Sequence, residues 1–140
     1  MALFYKMRRN TDAKTPKAYH QWFARAFHTE TVTLADLAAV MQSNSTVKKS
    51  DILAVLCELT DAMRHELQAG RKVSIDGLGT FMLGLSSNGV EQPGRFRADR
   101  DLRDVHVVFQ PETRHAPDGS LCQTMAAGTH VVPLPVRKTK

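Results

Sequence analysis

The stretch that most constrains this chain is Gly70-Arg71-Lys72-Val73-Ser74-Ile75-Asp76-Gly77-Leu78-Gly79-Thr80-Phe81. It follows Leu67, the last apolar position of a long helical pattern, so Gly70 falls where a left-handed helix C-cap is expected. Val73 and Ile75 alternate with Lys72, Ser74 and Asp76 at the two-residue period of a half-buried strand. Gly77 and Gly79 flank Leu78 in a spacing that permits positive φ, and Thr80-Phe81-Met82-Leu83-Gly84-Leu85 resumes an extended run. The order is helix, cap, strand, glycine turn, strand.

Upstream, Leu34, Leu37, Ala38 and Met41 recur at i, i+3, i+4 and i+7, with Thr33 placed as N-cap and Asp36 completing a capping-box-like arrangement. This predicts a short amphipathic helix ending near Ser43-Asn44. A second helix starts between Thr46 and Ser50, and its apolar positions Ile52, Val55, Leu56, Leu59, Met63 and Leu67 form one stripe. Leu53, Ala54 and Cys57 widen that stripe beyond what one small sheet covers, which points to a partner subunit. The two helices make a hairpin.

The first 30 residues predict an appended sheet. Leu3, Tyr5 and Met7 alternate with Phe4, Lys6 and Arg8, and a second strand is expected within His20-Gln21-Trp22-Phe23-Ala24-Arg25-Ala26-Phe27, after a loop holding Asp12, Thr15 and Pro16. The bulk of Trp22, the only tryptophan, favours a packing role that anchors this extension over stacking on a nucleobase.

Downstream of the glycine turn, residues 85–100 lose apolar alternation before Val105-His106-Val107-Val108-Phe109 reads as a strand, so a β-arm or long excursion connects two strands of one sheet. The segment 113–140 contains Pro117, Gly119, Gly128, Pro133 and Pro135 and is expected to be an irregular, flexible basic tail with at most a helical turn around Leu121 to Ala126.

Charge adds a partner class. Of a net +5, residues 1–19 carry +4 and the last four residues +3, leaving −2 for the body. Basic ends on a slightly acidic body suit contacts with a polyanion, and equally a solubilising role. No run approaches the roughly 20 apolar residues of a membrane span, and no signal peptide is apparent, so a cytoplasmic location is expected. Cys57 and Cys122 lack any metal-ligand or redox spacing and read as reduced thiols. The six histidines lie on different predicted elements, and none sits in a nucleophile elbow, a metal-binding helix or a phosphate loop. No enzymatic activity, cofactor, metal or small-molecule substrate is expected.

The helical hairpin followed by Gly70-x-x-Val73-x-Ile75-x-Gly77-Leu78-Gly79-Thr80-Phe81 resembles the HU/IHF family of bacterial histone-like DNA-binding proteins, over roughly residues 33–110. The run fixes three glycines and four apolar positions in the expected helix-to-strand context. Residues 1–30 look like the extension of a longer, divergent branch. The resemblance implies an α+β fold: a helical hairpin plus a β-ribbon sheet with an arm, in an intertwined homodimer with extra N-terminal strands. The implied domains are an N-terminal β extension (1–30), the HU/IHF-like domain (31–112) and the tail (113–140).

The implied partner is double-stranded DNA in the nucleoid, gripped in the minor groove and bent, with little sequence preference. Such binding needs cations for phosphates and often a rigid apolar wedge at the arm tip. The family's tip motif, Arg-Asn-Pro with a following Gly, is absent. Its place is taken by Gln92-Pro93-Gly94-Arg95-Phe96-Arg97, where Pro93 is the candidate wedge and Arg95 and Arg97 are candidates for a narrow minor groove. Pro-Gly is also a plain turn dipeptide. Arg95, Arg97, Arg100 and Arg103 are matched in number by Glu91, Asp99, Asp101 and Asp104, which makes residues 91–104 neutral. Weight therefore shifts to Arg71 and Lys72 beside the first strand, Lys48 and Lys49 at a helix start, and Lys6, Arg8 and Arg9 near the N-terminus. The alternative for these is solvated surface charge. The neutral tip leaves a second function open: an HU-fold protein-interaction or assembly module that has lost DNA binding.

Overall fold

The computed structural model describes residues 2–12, 14 and 17–135. Thr15 and Pro16 of the first loop, and the basic residues Arg137, Lys138 and Lys140, lie outside the described residues. In chain order the elements are β1 (Ala2–Arg9), β2 (Trp22–Phe27), α1 (Leu34–Ser43), α2 (Lys49–Gln68), β3 (Val73–Ile75), β4 (Gly79–Ser87), α3 (Ala98–Asp101), β5 (Leu102–Pro111), β6 (Thr113–His115), β7 (Leu121–Gln123) and β8 (His130–Pro133). They fall into two units, one formed by the chain up to Thr33 with the chain from Gly128, the other by Leu34–Ala127.

The larger unit is built around the helix-to-strand signature. At the end of α2, the Gly70 amide donates to the Leu67 carbonyl at 3.0 Å and the Arg71 amide to the Glu66 carbonyl at 3.1 Å. That paired pattern is a Schellman cap, and it needs the left-handed φ of +79° that Gly70 adopts. The Leu78 amide then donates to the Ile75 carbonyl at 3.0 Å, closing a turn in which Gly77 has a φ of +80°. Glu112 secures the turn from outside, because its carboxylate accepts the Gly77 amide and its own amide donates to the Leu78 carbonyl.

From this turn β3, β4 and β5 form an antiparallel sheet, with Val73 opposite Phe81 and Phe81 opposite Phe109. The Phe81 and Phe109 rings lie 4.7 Å apart. Beyond β3, the strands β4 and β5 continue as a two-stranded ribbon to Ser87 and Leu102, with a register shift at its far end. One face of the ribbon carries Phe81, Leu83, Leu85, Val105, Val107 and Phe109, and the other Thr80, Met82, Gly84, Ser86, Asp104, His106 and Val108, as the period-two pleat requires.

Very little of this unit's apolar surface is covered within one chain. Ala38, Ile52 and Leu67 are the buried hydrophobic residues among those described, whereas Val55 on α2 is 66% exposed and Leu85 on β4 is 69% exposed. The α2 stripe anticipated from sequence is present: Ile52 and Leu67 are buried, Leu56 and Met63 half-buried, and Val55 and Leu59 exposed.

The smaller unit is a three-stranded sheet in the order β2-β1-β8. β1 and β2 pair antiparallel from Phe4 opposite Phe27 to Arg9 opposite Trp22, as the alternating segments suggest. Two expectations need correction here. Trp22 does not anchor this extension in a core: it opens β2 at the sheet edge and is 62% exposed, so only one neighbouring strand is available to cover it. Nor is the described part of 113–140 irregular. β6 and β7 form a small hairpin, Thr124–Ala126 a 3-10 turn, and β8 pairs in parallel with β1 from Ala2 opposite His130 to Tyr5 opposite Pro133. The prolines and glycines punctuate these strands without abolishing them, because Pro133 ends an edge strand, where no donor is missed. The tail therefore divides between the two units. Cys57 and Cys122 are free thiols, and among the described residues no helix is long and apolar enough to cross a membrane.

Candidate nucleic-acid interface

The cations singled out from sequence fall into two groups, one on each unit. On the larger unit the ribbon ends in an ordered excursion. Pro93 opens a 3-10 turn spanning Pro93–Arg95, which suits its fixed φ, and a single helical turn, α3, follows. The lock of this excursion is Asp101, a residue that sequence counting treats only as one charge among eight. It is 6% exposed. Its carboxylate accepts the Arg97 amide at 2.9 Å and both Nε and an Nη of Arg100 at 2.8 Å, while its carbonyl accepts the Asn88 amide at 2.8 Å. Arg100 reaches on to the Arg95 carbonyl at 3.0 Å. One aspartate thus ties the incoming strand end, the turn and the short helix together.

The bidentate Arg100 hydrogen bonds, then the Arg97 amide, hold the Asp101 carboxyl down from an ordinary 3.8 to about 2. A depressed folded-state pKa contributes stability that is fully present above the unfolded value and is lost as the pH falls through the folded one. The tip is therefore expected to lose its order between about pH 4 and pH 2. Amide resonances of residues 88–101 followed by NMR should shift in that window, and Asp101→Asn should show the loosened tip already at neutral pH.

Pairing at the tip follows the sequence count only in part. Arg95 lies 3.9 Å from Glu91, Arg97 lies 3.4 Å from Asp99, and Arg100 holds Asp101. Asp104 is not the partner of Arg103: it sits 3.4 Å from His106, its neighbour two residues along the same face of β5. Arg103 is the extra residue at the register shift, between Leu102 and Asp104, and has no ion pair among the described residues. The remaining candidates of this unit separate in the same way. Arg71 is engaged by the Glu66 carboxylate, whose pKa that hydrogen bond lowers. Lys72 is exposed just before β3 and has no ion pair among the described residues. Lys48 is the N-cap of α2 with no side-chain cap, and Lys49 is its first residue.

On the smaller unit Lys6 and Arg8 share one face of β1, and Arg9 turns to the other with Met7. Arg8 and Arg9 line an open cleft of about 580 Å³ together with Asn10, Thr11, Asp12, Ala18, Phe23 and Arg25. The register sets Arg25 opposite Lys6 and Phe23 opposite Arg8. Neither Arg25 nor Phe23 stands out in the sequence, because only the pairing of β1 with β2 assigns them to this face. Among the described residues there is no group of histidine, cysteine and carboxylate side chains able to hold a metal ion.

The sequence model of one family, HU-HIG, described as an HU domain fused to wHTH, Ig, or glycine-rich motif, matches residues 1–118. This chain belongs to the HU-HIG family. The match starts at residue 1, so β1 and β2 lie inside the family's region along with the helical hairpin and the ribbon. A solved structure with a similar fold is the "Putative bacterial DNA binding protein from Bacteroides vulgatus ATCC 8482", with a TM-score of 0.62 at 16% identity over 99% of this chain. The HU-HIG chain spans about half of that protein, 51% of its length. No curated protein matches the sequence.

Proposed function

We propose that this HU-HIG chain binds duplex DNA in the nucleoid as a homodimer, without reading its sequence, and bends it. The observation that carries this reading is the β4–β5 ribbon. It projects from the helical hairpin with a locked, cation-bearing tip, and Arg103 at its far end has no ion pair among the described residues. Membership in an HU family and the DNA-binding description of the Bacteroides vulgatus neighbour support the partner. Arg103 and Lys72 are the leading phosphate contacts, with Lys48 and Lys49 at the α2 start, where backbone amides also favour an anion. Arg95, Arg97 and Arg100 serve first to build the tip. Pro93, the rigid first residue of the 3-10 turn, is the proposed wedge.

Binding of this kind releases counterions, so the logarithm of affinity falls linearly with the logarithm of salt, by about 0.9 per neutralised phosphate. Retention of a duplex of about 30 base pairs should decline steeply with salt, and Arg103→Ala and Lys72→Ala should each flatten the slope by about one unit. A flat slope for the unaltered protein would rule the reading out. A second reading, an assembly module that no longer holds DNA, is favoured by the ion pairs of Arg95 and Arg97. Under it, duplex retention is absent at low salt, and a protein partner is recovered instead.

A further inference from the structure

The sheet of the smaller unit carries a feature that duplex binding does not use. The β1–β2 register gathers Phe4, Lys6 and Arg8 from one strand and Phe27, Arg25 and Phe23 from the other onto a single face, so that three rings and three cations share it. Phe4 stands opposite Phe27, Lys6 opposite Arg25, and Arg8 opposite Phe23. Lys6, Arg8 and Arg25 are exposed and have no ion pair among the described residues, and the Phe23 ring is 40% exposed. The Lys6 ammonium lies 5.3 Å from the centre of the Phe27 ring, within cation–π range. Asp12 is the acidic residue among those lining the adjoining cleft. A face packed against its own protein would not leave three cations unpaired, and a face made only for solubility would not interleave them with phenylalanines.

Duplex DNA presents phosphates but keeps its bases stacked on one another, so phenylalanine rings on an open sheet have nothing to stack on there. An unpaired strand presents both groups. We propose that this face binds single-stranded nucleic acid, with Phe23 and Phe27 stacking on bases while Lys6, Arg8 and Arg25 pair with the flanking phosphates. The site is distinct from the ribbon, and the proposal stands whether or not the ribbon holds a duplex.

The test uses the full chain with fluorescently labelled oligothymidine and oligouridine of about 15 nucleotides, a length within the site sizes of known single-strand binders, alongside the duplex. Retention of either strand at low salt is expected, with Phe23→Leu weakening it about tenfold and leaving duplex retention unchanged. Preference for one oligonucleotide would assign the natural strand as DNA or RNA. Should Phe23→Leu fail to fold, Arg25→Gln should flatten the single-strand salt slope by about 0.7. Trp22 gives an internal check, because it pairs with Arg9 and lies on the opposite face: its emission should not change on binding. The proposal is overturned if neither strand is retained, if Phe23→Leu weakens duplex and single strand equally, or if the bound strand quenches Trp22.

Discussion

Gly79→Ala should unfold the larger unit, or lower its stability by more than about 4 kcal/mol, a range reserved for a few identifiable mechanisms. Gly79 opens β4 directly opposite Pro111, and a Cβ there would stand 2.3 Å from the Gln110 carbonyl oxygen and 2.9 Å from both the Phe109 ring and the Pro111 Cα. Two of those atoms are backbone of the neighbouring strand and cannot rotate away. The φ of +145° adds strain for any side chain. Relief would require β5 to part from β4 at the point where Glu112 also holds the Gly77 turn. Gly94 in the tip has nothing within 4 Å of its would-be Cβ, so Gly94→Ala should stay within about 0.5 kcal/mol of the unaltered protein. Urea denaturation of both variants at one fixed protomer concentration makes the comparison. A Gly79→Ala protein as stable as the Gly94→Ala one would contradict the strand register.

Leu59→Asp should convert a dimer to monomers, raising the dissociation constant at least about a hundredfold, because an unpaired carboxylate placed in an apolar interface costs several kcal/mol. The expectation comes from what the chain leaves uncovered. Leu59 and Val55, one turn apart on α2, are 42% and 66% exposed, and Leu37 and Val40 of α1 are 49% and 58% exposed. An amphipathic helix gains most of its stability from burying such a stripe. Three buried hydrophobic residues among those described are too few to hold two helices and a sheet. A second copy of the chain is the occupant proposed for that surface. Light scattering should give twice the chain mass for the unaltered protein and for Arg64→Asp, which alters the far side of the same helix. If Leu59→Asp leaves the mass unchanged, the stripe is not the dimer interface.

Which parts of this architecture the sequence determines follows from the range of the forces involved. The Schellman cap at Gly70, the turn through Gly77, the two helices and the alternation of β1 are set by neighbours within a few residues, where φ preferences and apolar periods act directly. These are legible without coordinates, and the HU resemblance rests on them. The strands after residue 112 are not, because β6, β7 and β8 are only three or four residues long, too short to show a period, and β8 exists only through its pairing with β1 far away in the chain. Trp22 went the same way: its size argues for burial, but its place at the end of an edge strand leaves it open.

Charge illustrates the division most clearly. Counting predicts a neutral tip, and three of its four arginines do sit beside carboxylates. Only the folded excursion makes Asp101 the buried lock and sets Asp104 beside His106, while Arg103 has no ion pair among the described residues. Likewise Phe23 and Arg25 lie 15 or more residues from Lys6 and Arg8, and only the antiparallel register of β1 with β2 puts them on one face. Local preference is written in the sequence because it is a property of adjacent residues. Partner choice among charges and rings is decided by the tertiary structure, because it depends on which strands pair and in which register.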